Sequence, residues 1–355
     1  MSVITKQSTF ILVIGGGQAG LTAGYRLKEK NLPFEILEAG NHIGDSWRKR
    51  YSSLTLFTTR EFSSLPGLKL KGDPDGYAGR DEFANYLEDY SNYFSLSVRL
   101  KTSVISLTQN ENGGFTAQLS NGGILKVSHV IVATGGFQQP LVPEMSYQFG
   151  KQVLHFTPDN FGDGSELPEG SILIVGDGAS GRDLALVTTE SHSVILATGK
   201  FRKLLPERIW GKSIWWYLRS LGLLSVSGTS LIGKIMRRTD PFPNRDRSLK
   251  SLAKQGIEIM PRLISARDGV AIFEGKEYRT VSAVIWAIGY RDKTDWMQIS
   301  GALDQHGNFL HNKGISPIKN LYYVGRPWQR NRASALIMGV DEDAQLIINC
   351  IRTFS

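Results

Sequence analysis

The chain has a single cysteine, Cys350, among 355 residues. An intramolecular disulfide is therefore excluded, and so is a redox couple built from paired cysteines. Metal-ligand spacing is missing too. His42, His129, His155, His192, His306 and His311 are scattered, and no structural metal is expected. No run of residues is long and apolar enough to span a bilayer. The nearest approach is the Trp- and Leu-rich segment 209–236, which Lys212, Arg219 and Lys234 interrupt. Residues 1–9 carry no signal or transit pattern, so the cytoplasm is the expected compartment.

What is present is the balance of an ordinary globular chain, 41% apolar and 21% charged. Its length suggests about two domains. The formal net charge is +8, yet residues 200–250 hold twelve Lys and Arg against three acids, leaving the remainder nearly neutral. A local basic patch argues against a nucleic-acid partner and leaves a solvated face, a small anionic ligand or a membrane surface. For segment 209–236, the plain reading is a helical cover packed on the second domain. Its rivals are a lid over substrate, a homodimer face and a membrane-surface contact.

Two glycine-rich loops carry most of the chemical information. The apolar run FILVI at 10–14 leads into GGGQAG, with Gly15, Gly17 and Gly20 at the spacing G-x-G-x-x-G. Gly15 suits the tight turn, Gly17 lets backbone approach a pyrophosphate, and Gly20 lets a helix pack on the strand. A helix from Gln18 to Glu29 and a second strand, FEILE, follow. That strand ends in Glu38, whose carboxylate suits the ribose hydroxyls of an adenosine. Gln18 and Ala19 lie within the same loop.

The arrangement recurs as ILIV at 172–175 followed by GDGASG, with Gly176, Gly178, Ser180 and Gly181. From Gly15 to Glu38 is 23 positions and from Gly176 to Thr198 is 22, but no acid stands at the second strand's end. Thr198 is followed by Gly199, Lys200, Phe201 and Arg202. A carboxylate there would repel a ribose 2′-phosphate, whereas Lys and Arg bind it. The first loop is expected to take FAD and the second NADPH.

Several further stretches join these loops: IGDSW at 43–47, ATGGFQQPLVP at 133–143, WAIGYR at 286–291 and VGRPWQRNRASALIMGVDEDA near the C-terminus. Together they resemble the small bacterial relatives of class B flavin-dependent monooxygenases, within the two-dinucleotide-binding flavoproteins, over almost the full length. The resemblance implies an α/β fold of two Rossmann-like domains, the NADP domain inserted into the FAD domain. It implies that Trp47, Thr58 and Gly325 lie near the flavin, and that the strand around Val104 meets the adenine through its backbone. It further implies that Thr134 and Gly135 mark the crossing between domains. The N-terminus of a last helix, about 341–351, would point at the flavin's pyrimidine side.

Two departures stand out. The family's histidine motif appears only as YQFGKQVLHF, with four residues between Gly150 and His155 instead of three. A gap-free reading of LFTTRE also puts Phe57 where the family has a catalytic asparagine. No acid–base dyad is evident, and no catalytic residue is assigned.

The expected domains are 1–147 for FAD, 148–281 for NADP and 282–355 to complete the first. The expected activity is an FAD- and NADPH-dependent monooxygenase with O2 and a small molecule as substrates. The alternatives are a reductase passing electrons to a quinone or carrier, and a redox-sensing module without turnover.

Overall fold

The computed structural model describes residues 3–5, 10–239 and 241–353. Two parallel five-stranded sheets form its frame. The first runs in the spatial order Leu321–Tyr323, His129–Val132, Ile11–Ile14, Phe34–Leu37, Val98–Arg99. Counted along the chain this is the 5-4-1-2-3 order of a doubly wound nucleotide-binding sheet. The second runs Leu154–Phe156, Ala283–Trp286, Ser171–Val175, Ser193–Ala197, Glu258–Met260. It repeats the pattern, except that its outermost strand precedes the others in the chain.

Alternation within the strands explains how each sheet is covered on both faces. Ile11, Val13, Ile36, Ile131 and Tyr322 point to one side, into a core shared with helices Gln18–Glu29, Arg80–Tyr93 and Val340–Thr353. Leu12, Ile14, Leu37, Val130, Val132 and Tyr323 point to the other side. There they meet a layer of strands Val104–Gln109, Phe115–Leu119 and Ile124–Val127, to which Val3–Thr5 adds a parallel edge. A one-residue slip in any central strand would exchange its two sets, so both cores fix the register.

The second sheet is built alike. Ile172, Ile174, Leu196 and Ile285 face helix Ala179–Thr188. Leu173, Ile195, Val284 and Trp286 face the antiparallel strands Leu263–Arg267 and Val270–Phe273. Leaving out the outermost Leu154–Phe156, the antiparallel layer in each half is inserted between the third and fourth strands of the parallel sheet.

Two expectations need correction. The AVIW strand was expected in the first domain, with a boundary at 281/282. Ala283–Trp286 instead pairs with Ser171–Val175 and Leu154–Phe156 in the second sheet, so the chain re-enters the first half only after Trp286. The cause is parallel pairing: a buried strand fits beside any other, and its own sequence does not name its neighbour. A short strand, Val3–Thr5, also precedes the run at 10–14. Finally, segment 209–236 does not cover the second sheet. It packs on residues of the first half, with Trp215 and Ile214 against Phe62, Ala333 and Leu336.

Candidate functional site

Both glycine loops lie at the carboxyl ends of their sheets, where the strand order reverses. Their geometries are nearly superimposable. Gly15 has φ of 108° and Gly176 of 105°, a region that L side chains rarely adopt. A Cβ on Gly20 would lie 1.8 Å from the Gly15 carbonyl oxygen, and one on Gly181 would lie 1.8 Å from that of Gly176. Helix and strand therefore touch backbone to backbone in both units. Beneath each loop runs the segment after the fourth strand: Ala133 under Gly15 and Ala287 under Gly176, each with its carbonyl oxygen 2.6 Å from where a Cβ would stand.

At Gly17 the space is open, with no atom within 4 Å of an ideal Cβ. At Gly178 only the Arg202 guanidinium comes within that range, at 3.8 Å. Each of these glycines is the N-cap of a long helix with no side-chain cap bond. The first-turn amides thus face an open approach, the condition for seating a pyrophosphate. The two loops fit dinucleotides.

The loops differ in where they keep a carboxylate. Glu38 accepts hydrogen bonds from the amides of Gly16 and Gly40, both at 2.7 Å, one on each oxygen. In the second unit Asp177 stands at the position of Gly16. Its buried carboxylate accepts from the Gly199 amide at 3.2 Å and pairs with the buried Arg182 at 3.0 Å. Arg202 lies 3.9 Å from Asp177, on the outer side of the loop. Lys200 is exposed. Thr198 donates its hydroxyl to the Met260 carbonyl.

Around the first loop, the Gln18 side chain accepts from the Trp47 indole at 3.2 Å, and Trp47 packs edge-on against Phe83. Gly325, with φ of 81°, lies against Ala19, so the C-terminal motif closes on the helix start. Thr134 and Gly135 both accept from Gln138. Val104 is buried at the start of its strand, where the pairing with Leu119 shifts register. Thr58 stands apart: its hydroxyl is 2.7 Å from Ser63, and no hydrogen bond ties it to the glycine loop. Phe57, beside it, accepts the Trp215 indole N–H on its carbonyl and turns its ring toward Trp215.

His155 belongs to the second sheet, not to a catalytic cluster. Its Nδ1 accepts from the Trp286 indole at 2.9 Å, its ring stacks on Trp286, and burial lowers its pKa.

Two arginines escaped the sequence reading. Arg326 donates to the Gly135 carbonyl and forms a two-point pair with Asp292, tying the two crossover segments to the C-terminal motif. Arg50 reaches from the first half to Ser180 at 3.3 Å, pairs with Asp159 at 3.4 Å and lies over the rings of Phe137 and Tyr290. It is a cation at the second helix start. The one advance sign of these contacts was the density of Arg near both motifs, which does not specify partners. A polar hollow bordered by Ser171, Ser193 and Glu258 lies at the opposite, amino ends of the second sheet's strands and takes no part in this arrangement.

Comparison with known proteins agrees with this arrangement. Residues 12–202 match the pyridine nucleotide-disulphide oxidoreductase family. The chain is 44% identical to a CzcO-like oxidoreductase of Geobacillus kaustophilus, over 96% of its own length and 97% of the other. It is 36% identical to the CzcO oxidoreductase of Bacillus subtilis, over 95% and 97%. A flavin-containing monooxygenase from Stenotrophomonas maltophilia shares the fold, with a TM-score of 0.81 and 21% identity over 98% of this chain and 99% of that one. The disulphide in the family's name has no counterpart here, since Cys350 is the only cysteine. The chain belongs to the pyridine nucleotide-disulphide oxidoreductase family and is an oxidoreductase on the flavin-containing monooxygenase fold.

Proposed function

We propose that the chain is an FAD-containing, NADPH-dependent monooxygenase that delivers one oxygen of O2 to a small soft nucleophile or ketone. One observation carries the reading: two glycine loops of the same geometry end in opposite charge character. Glu38 stands at the first, Lys200 and Arg202 at the second. A carboxylate suits ribose hydroxyls and repels a 2′-phosphate; the two cations do the reverse. FAD would rest on the amides after Gly15, with Glu38 at its adenosine, and would supply the redox chemistry when bound. NADPH would rest on the amides after Gly176, with Ser180 and Arg50 at its pyrophosphate.

The chain's own residues bind, orient and shield. Trp47 and Gly325 fix the start of helix Gln18–Glu29. The acidic first turn of helix Val340–Thr353 (Asp341, Glu342, Asp343) complements the helix dipole and is held in place by Arg26 and Arg330. Trp215 and its segment cover Phe57 and Phe62 and keep water from that side. The relationship to a flavin-containing monooxygenase fold supports the same reading. Phe57 favours a second one, a reductase that hands electrons to a quinone or carrier, because an apolar ring packed on Trp215 offers no amide to hold an oxygen species.

The open space at Gly17 and Gly178 makes a discriminating test, since a side chain there obstructs the ligand and not the fold. Gly17→Val should fold normally and purify colourless. Gly178→Val should stay yellow and lose reduction by NADPH. Flavin retained by Gly17→Val, or the reverse pattern, would overturn the assignment. In the unaltered protein, oxygen should appear in a sulfide, amine or ketone product. Complete return of O2 as hydrogen peroxide, with quinone reduced instead, would establish the reductase.

A further inference from the structure

Helix Leu231–Thr239 is turned outward compared with an ordinary surface helix. It packs at Gly233 on the turn that precedes it, where a Cβ would stand 2.0 Å from the Ser227 carbonyl oxygen, and that turn bridges to Asn331. By helical spacing Leu231 and Ile235 lie on the opposite side, with Ile232 at its edge. These residues are 81%, 62% and 51% exposed. Lys234 and Arg238 border them along one side, Arg237 lies nearer the Gly233 side, and among the described residues none of the three has a carboxylate partner. Residues 208–239 contain six Lys and Arg and no acid at all. Trp210 and Leu221, in the same segment, are 93% and 70% exposed.

We propose that this surface docks on an anionic lipid bilayer. An apolar helix face rimmed by cations is the pattern of a helix lying in the interfacial plane, with its aliphatic side chains among the acyl ends and its cations at the phosphates. Trp210 suits the headgroup level. The helix has nine residues, and no described helix is long and apolar enough to cross a membrane, so the contact lies along the surface. A second copy of the chain is the poorer occupant, because it would bring two basic helices together. An anionic bilayer removes that repulsion.

The probe is phosphatidylcholine vesicles with or without phosphatidylglycerol, read by flotation and by tryptophan emission. The protein should float with the anionic vesicles, shift its emission to the blue, and ignore the neutral ones. Each of Lys234→Ala, Arg237→Ala and Arg238→Ala should weaken binding about fivefold. Leu231→Ser combined with Ile235→Ser should abolish it while leaving the circular dichroism and melting temperature unchanged, since both side chains are already in solvent. No binding, or equal binding to neutral vesicles, would overturn the proposal. So would a doubled mass in light scattering that disappears in the double serine variant, which would assign the face to a second copy.

Discussion

Glu38 and Asp177 fill the same neighbourhood by different routes. Glu38 follows its strand and reaches back to the loop, which is why position 16 is a glycine: a Cβ there would lie 2.9 Å from Glu38. Asp177 starts in the loop and reaches forward to Gly199, leaving its strand end free of acid. In the proposed site Lys200 would meet the 2′-phosphate, while Arg202 stands 3.9 Å from Asp177. Lys200→Ala should weaken NADPH about ten- to a hundredfold and leave NADH unchanged, as expected for one charge-assisted hydrogen bond. Flavin reduction measured against both nucleotides at fixed salt checks this. Arg202→Ala should also weaken NADPH more than NADH, because the proposed 2′-phosphate site loses its second cation. His155 gives a second expectation. Burial lowers its pKa from 6.5, so the folded state binds its proton less readily than the unfolded chain. Its contribution is present above the unfolded pKa and is lost as pH falls below about 6.5, by at most about 1.4 kcal/mol per pH unit. His155→Gln should lack that part of the acid sensitivity in melts compared across pH.

Helix Gln18–Glu29 was legible in the sequence to the residue, because apolar spacing and a glycine cap mark it locally. The glycine loops were legible for the same reason, since one short stretch carries strand, turn and helix start. Partners distant in the chain were not. Nothing in AVIW distinguishes a neighbour of Ser171–Val175 from a neighbour of His129–Val132, since both are buried parallel strands. Segment 209–236 was recognised as a cover, but its apolar residues do not say which half they cover. Trp215 resolves this, being almost fully buried and bonded to the Phe57 carbonyl. Trp215→Ala should cost about 3–5 kcal/mol if the segment stays docked. A smaller loss, with new protease cleavage between residues 209 and 239, would mean that the segment lifts away. In either case more of the oxygen consumed should return as peroxide, measured against NADPH oxidised.

The two halves are joined by Tyr51, Leu54 and Trp47 packed into the second core and by buried charges. Arg326 and Asp292 are each about nine-tenths buried and tie together the segments after the fourth strands and the C-terminal motif. Arg326→Leu should destabilise by about 3–5 kcal/mol, because Asp292 is left buried and unpaired. Adding Asp292→Leu should recover most of that loss in denaturant titrations. Reduction of the flavin by NADPH should stay slow in both variants, because the crossovers remain untied. The sheet order also has a consequence for synthesis. Strand His129–Val132 waits for Leu321–Tyr323, roughly 190 residues later, and every strand of the second sheet is made in between. At typical elongation rates the ribosome needs about ten to forty seconds to cover that distance. For that interval the first sheet has a bare parallel edge of fully buried-type residues. Nascent chains of intermediate length should therefore be chaperone clients, and flavin capture should be among the last events before the finished polypeptide leaves the ribosome.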